Sequence, residues 1–85
     1  METKFSDGTI ITPYLAAAYA EGFCEGDGAS EDDQLRAWSY LIGTGQCWSL
    51  QGWYGRNAQS LIEQELISSD GKIDWDLYDE ICSNI

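Results

Sequence analysis

Helix-start signals divide this chain before any other feature is considered. Thr12 precedes Pro13, which tolerates the first helical position because its missing N–H has no partner to lose there. Ser30 precedes Glu31, Asp32 and Asp33, three carboxylates where a first helical turn presents its positive end. Asp74 precedes a run with Leu77, Ile81 and Ile85 at four-residue spacing, flanked by Tyr78 and Cys82. Between these starts lie stops: Glu25-Gly26-Asp27-Gly28, then Gly43-Thr44-Gly45, then Ser68-Ser69-Asp70-Gly71. The spacing predicts helices over 13–24, 31–43, 46–66 and 75–84, with residues 1–11 as an arm, so the expected fold is all-α, a four-helix single domain.

Apolar periodicity supplies the expected core. Leu35, Trp38, Leu41 and Ile42 recur on one face of the second helix. In the third, Cys47, Leu50, Tyr54, Ala58, Leu61 and Ile62 follow at three or four residues, which predicts that Trp48, Leu50 and Tyr54 are buried. Gly52 and Gly55 interrupt that run at a cost of roughly 1 kcal/mol each against Ala, so a kink or a close neighbour is expected. Asp7-Gly8 suits a tight hairpin turn, or an irregular arm that packs Phe5 and Ile10 on the helices.

At 85 residues the chain fits one domain with a modest core. Cys24, Cys47 and Cys82 are odd in number and widely spaced, and histidine is absent, which argues against a disulfide framework or a zinc site and for a reducing, cytoplasmic setting. The start of the chain lacks the basic-then-apolar order of a signal peptide, and no apolar run reaches membrane-spanning length.

The net charge is −11, and its distribution says more than its size. Six carboxylates lie from Glu21 to Asp33 without a basic residue, and seven lie from Glu63 to Glu80 opposed only by Lys72. Between Asp33 and Glu63 there are none, and Arg36 and Arg56 stand there instead. Such a chain is poorly suited to bind nucleic acid or an anionic membrane directly, and well suited to a protein partner with a basic surface.

Catalytic chemistry finds little support in the residues. Without histidine a general base would have to be a carboxylate, and the carboxylates fall in caps and turns. Ser49 and Ser60 lack a nucleophile motif, and Gly43-x-Gly45 and Gly52-x-x-Gly55 lack the preceding strand of a phosphate-binding loop. Neither enzymatic activity nor a cofactor is expected. Tyr19 to Gly28, YAEGFCEGDG, resembles the helix-and-acid motif of LAGLIDADG homing endonucleases, which implies Asp27 as a metal ligand. The residues that follow read as a helix cap where that family requires a strand, so this is the last-ranked reading. Ala29 also breaks the oxygen-ligand register of a calcium loop.

The middle of the chain carries the stronger resemblance. Leu41-Ile42, Thr44-Gly45, Trp48, Leu50-Gln51-Gly52, Tyr54-Gly55-Arg56, Ala58 and Leu61-Ile62 form the pattern LIxTGxxWxLQGxYGRxAxxLI, which resembles a group of small proteins of tailed bacteriophages. The resemblance implies a phage origin and a site of action in the host cytoplasm, and brings no activity with it. Two roles are in view. The first is an acidic interaction protein that inhibits a host defence or nucleic-acid-handling complex, in the manner of an anti-CRISPR, through Glu25, Asp27, Glu31, Asp32, Asp33, Asp76, Asp79 and Glu80. Trp53 and Arg56 would add a hot spot, since Trp, Tyr and Arg dominate such contacts. The second is a structural or regulatory protein that self-associates, as a homodimer, through its aromatic central helix. For Arg56 an ion pair to an acidic helix is the competing expectation.

Overall fold

A computed structural model describes residues 1–50 and 52–83, leaving Gln51, Asn84 and Ile85 outside the described residues. Among those described, the fold is all-α, with four helices: α1 (Pro13–Glu21), α2 (Glu31–Gly43), α3 (Gly52–Glu63) and α4 (Trp75–Ser83). Single 3-10 turns stand at Cys24–Gly26 and Gln46–Trp48. Extended pairing is limited, among the described residues, to two isolated antiparallel bridges, Lys4 with Ile10 and Ile67 with Ile73.

The caps work as local chemistry dictates. Thr12 Oγ1 accepts from the Leu15 N–H (3.2 Å), Ser30 Oγ from the Asp33 N–H (3.2 Å) and Asp74 Oδ1 from the Leu77 N–H (3.0 Å), each satisfying a donor the first turn leaves free. Gly22, left-handed at φ +75°, stops α1 three residues before the expected end.

The third helix departs most from expectation. Gly45 is left-handed, Gln46–Trp48 makes one 3-10 turn, and the regular helix starts only at Gly52. Both the Ser49 N–H and its hydroxyl donate to the Gln46 carbonyl (3.1 Å each), occupying the acceptor that α-helical continuation would give to Leu50. The helix then ends at Glu63, and Glu65 adopts φ +64° before Leu66 and Ile67 turn inward.

The core gathers on α2. Leu35, Ala37, Trp38, Leu41 and Ile42 are buried, and α1, whose main partner is this helix, adds Ala16 to the same core while Ala18 is covered by the first 3-10 turn at Gly26. Phe5, Ile11, Cys47, Tyr54, Ala58, Leu66, Ile67 and Ile73 complete the core. Several expected positions are exchanged. Ile10 is exposed while Ile11 is buried, because the turn at Asp7-Gly8 (Phe5 N–H to Thr9 O, 2.9 Å) sets the register of the arm. Trp48 and Leu50 are exposed because the 3-10 turn directs Cys47 inward. In α4 no residue is fully buried: Leu77 and Tyr78 pack at the core edge, Ile81 is exposed, and Ile85 lies outside the described residues.

Two glycines fix how closely the chain can pass. A Cβ on Gly26 would collide with the Ala18 carbonyl group, so the first 3-10 turn closes on the end of α1 only with hydrogen at that position. Gly71 combines φ +90° with a Cβ site 2.6 Å from the Ser39 carbonyl oxygen, which brings the 68–71 turn down on α2. Beneath it the buried Ser39 hydroxyl accepts from the Glu2 N–H (2.8 Å) and donates to the Gly71 carbonyl, joining arm, helix and turn.

Candidate functional site

The two acidic stretches, separate in sequence, meet at the junction of α2 and α4. Tyr78 of α4 donates its phenol O–H to Glu31 Oε2 (3.3 Å) at the start of α2. Burial raises the Tyr78 phenol well above its ordinary value, and adjacent Asp32 and Cys82 push the same way. Asp33 is bound more tightly: Ser6 donates to it from both its N–H and its hydroxyl (2.8 Å each), and Arg36 Nη1 lies 3.1 Å away.

The first cluster extends toward the arm. The Tyr19 phenol, stacked on Phe5 at 3.8 Å between ring centres, is raised first by burial and then by the charges of Asp7, Asp33 and Glu25. Glu25 and its neighbour Cys24, in the first 3-10 turn, push the Tyr14 phenol up to about 12. Asp27 is exposed just beyond that turn. Asp76, Asp79 and Glu80 are exposed along α4. The structure thus brings Glu31 and Asp32 to α4 at Tyr78.

Arg36, and not Arg56, holds the ion pairs. It reaches Asp33 at 3.1 Å and Glu2 at 3.7 Å, and its guanidinium lies 4.8 Å from the centre of the Trp75 ring. The Asp33–Arg36 spacing of three residues on a helix was the available signal. Among the described residues no carboxylate lies within ion-pair distance of Arg56, whose guanidinium folds back over Gly52.

The carboxylate-free middle presents rings to solvent. Trp48 is 51% exposed, Leu50 42% and Trp53 39%, so three large apolar groups lie open within six residues. The Trp48 ring lies 3.8 Å from where a Cβ on Gly55 would stand, while Trp53 leans on Trp38 (5.7 Å between ring centres) and meets Tyr54 edge-on (5.0 Å). Tyr54 is buried and donates its O–H to Glu21 of α1; burial first, then Glu21, pushes its phenol up to about 12. Gln51, part of the same motif, lies outside the described residues.

A cleft of about 380 Å³ opens between α2, α3 and α4. Leu35, Trp38 and Leu61 form its apolar part, with Gln34, Asn57, Ser60 and Gln64 around it and Glu31 and Tyr78 at one end. Sequence reasoning passed over these amides, although Asn57, Ser60, Leu61 and Gln64 recur at three- and four-residue spacing and so share a helical face. A second hollow of about 530 Å³ lies beside Glu65, Lys72, Asp74 and Asp76, with charges of both signs on its wall.

The endonuclease-like reading of Asp27 does not survive the geometry. That motif needs an acid at the end of a helix, and α1 has stopped at Glu21, with a left-handed Gly22 and a 3-10 turn before Asp27 is reached. Among the described residues no three Cys, Asp or Glu side chains gather as a metal site, and no helix is long and apolar enough to cross a membrane. All three cysteines are free thiols, with Cys47 buried and Cys24 and Cys82 exposed.

No curated protein and no solved structure matches this chain. A family model does, over residues 23–81, a span that takes in α2, α3 and most of α4 together with the acidic junction and the cleft. The chain therefore belongs to the family described as Domain of unknown function (DUF7417).

Proposed function

We propose that this protein is a non-enzymatic binding module that docks an acidic face on the basic surface of a protein partner. The observation that carries this reading is the contact between Tyr78 and Glu31, which joins two carboxylate-rich segments into one surface. Self-repulsion in a chain of net charge −11 makes such a concentration costly unless solubility or a cationic partner requires it. The phage-like motif from Leu41 to Ile62 supports a more specific version. In it a phage-encoded inhibitor occupies the nucleic-acid-binding surface of a host defence complex, as an anti-CRISPR protein does, within the host cytoplasm.

The test is a pair of measurements on one partner captured from a bacterial host. Affinity should fall by at least a factor of about ten when ionic strength is raised roughly tenfold. Charge reversal of Glu31, Asp32 and Asp33 to Lys should abolish capture while leaving the far-UV spectrum unchanged. Affinity indifferent to both changes sinks the reading.

The exposure of Trp48, Leu50 and Trp53 supports a second reading, self-association through the aromatic middle. Sedimentation equilibrium decides it: a concentration-dependent dimer that Trp53→Ala dissolves supports it, and a strict monomer at high micromolar concentration removes it.

A further inference from the structure

The cleft between α2, α3 and α4 is unusual in how its hydrogen-bonding capacity is spent. Gln34 donates from its side-chain amide to the Tyr19 carbonyl (3.3 Å), and Asn57 donates from its own to the Trp53 carbonyl (2.8 Å). A carbonyl acceptor can only be met by the NH2 end of an amide, so both orientations are fixed. Their oxygens are left without a hydrogen-bond donor among the described residues. Gln64 likewise spends an amide N–H, on the Ser60 hydroxyl (2.9 Å). At one end of the cleft stands the Glu31 carboxylate, and no Lys or Arg among the described residues lines the space. The volume of about 380 Å³ falls in the range of small-ligand sites, roughly 300–1,000 Å³.

An acceptor-rich, anionic cleft with an apolar floor calls for a particular kind of ligand group. A group that suits Glu31 and the two amide oxygens donates several hydrogen bonds, carries positive charge and brings a short hydrocarbon stem. The arginine side chain has all three properties, with five N–H donors in a planar fork and a three-carbon stem. Lysine offers a compact ammonium with three donors on a flexible stem, without the planar fork that two separate acceptors can share. The chain already solves the same problem for itself at Arg36, whose guanidinium sits over the Trp75 ring between the carboxylates of Asp33 and Glu2.

Resting on the acidic docking face argued above, we infer that this cleft is the recognition pocket for an arginine side chain of the basic partner. Glu31 holds the guanidinium by charge, the Gln34 and Asn57 side-chain oxygens accept from its N–H groups, and the stem lies on Leu35, Trp38 and Leu61. The pocket makes the docking face selective for arginine over general positive charge.

The experiment is an NMR titration of the full chain with three capped tripeptides, Ac-Gly-Arg-Gly-NH2 and its lysine and citrulline counterparts. The arginine peptide should produce saturable shifts at the Gln34 and Asn57 side-chain amides and the Trp38 indole N–H. The lysine peptide should bind at least roughly tenfold more weakly, and citrulline, which keeps the shape and loses the charge, should leave these signals unmoved. Glu31→Gln should weaken arginine binding by a comparable factor, while Glu63→Gln, exposed on α3 and outside the cleft lining, leaves it within about twofold. Equal response to lysine and arginine, or shifts confined to the carboxylates of α4, overturns the pocket and leaves the docking face standing. Silence from every peptide, with salt-sensitive capture of the partner intact, also overturns the pocket alone; loss of that capture as well overturns both.

Discussion

Single atoms set the tolerances of this fold. Gly26→Ala places a methyl group into the end of α1 at an ordinary backbone angle, so its cost is steric and should reach at least about 1–3 kcal/mol. Gly8 is the control, with φ +89° and open space around its Cβ site; Gly8→Ala should lose only the strain of a left-handed residue, about 1–2 kcal/mol. Urea unfolding measures both, and a Gly26→Ala midpoint equal to that of the unsubstituted protein would contradict the close approach at Gly26. Ser39→Ala removes the hydroxyl shared by the Glu2 N–H and the Gly71 carbonyl, and should destabilise by about 1–3 kcal/mol in the same assay. Tyr54 gives a pH signature. Its phenol is held protonated up to about 12, above the ordinary value of 10.0, so its contribution is fully present below pH 10 and is lost as pH rises through about 12. Tyr54→Phe should flatten the decline in stability over that alkaline window, as measured by thermal unfolding at stepped pH.

The four helices differ in how firmly they are held. α2 carries six buried residues from Leu35 to Ile42 and α4 carries none, although both have a capped start and three-to-four periodicity. Native-state hydrogen exchange should therefore find the amides of Leu41 and Ile42 among the slowest and those of α4 exchanging much faster, through local opening. Equal protection in the two helices would show that α4 is part of the core. This contrast bears on what a sequence reveals. The starts of α1, α2 and α4 were legible at Thr12, Ser30 and Asp74 because capping is a contact between near neighbours in the chain. The break before α3 was not, because the periodicity from Cys47 to Ile62 continues through it while Ser49 diverts the Gln46 carbonyl. Nor was the depth of α4, since an apolar stripe shows which side faces inward and nothing of how much protein lies beyond it. The convergence of the acidic segments and the amide-lined cleft are tertiary facts of the same kind, carried by contacts such as Tyr78 to Glu31 that span 47 residues.

As a whole, the described chain has a radius of gyration of 11.9 Å, which agrees with the roughly 12 Å expected of a folded chain this long. It holds its net charge of −11 within dimensions of 32 × 26 × 19 Å, a separation over which screening by salt is effective. Added sodium chloride should therefore raise the melting temperature at neutral pH, by several degrees if screening relieves on the order of 1 kcal/mol of repulsion. A melting temperature that falls with salt would mean that the Asp33–Arg36–Glu2 ion pairs outweigh the repulsion among the remaining carboxylates. The two places where the backbone pairs as β structure, Lys4 with Ile10 and Ile67 with Ile73, have a further consequence. Neither grows into a ladder, so neither offers a newcomer a row of vacant amide groups to extend. Recruitment by strand addition is closed to these two segments, as is the templated stacking that leads to fibrils. A partner meeting this protein there must read side chains, and its preference can be rewritten by substitutions that leave the main chain as it is.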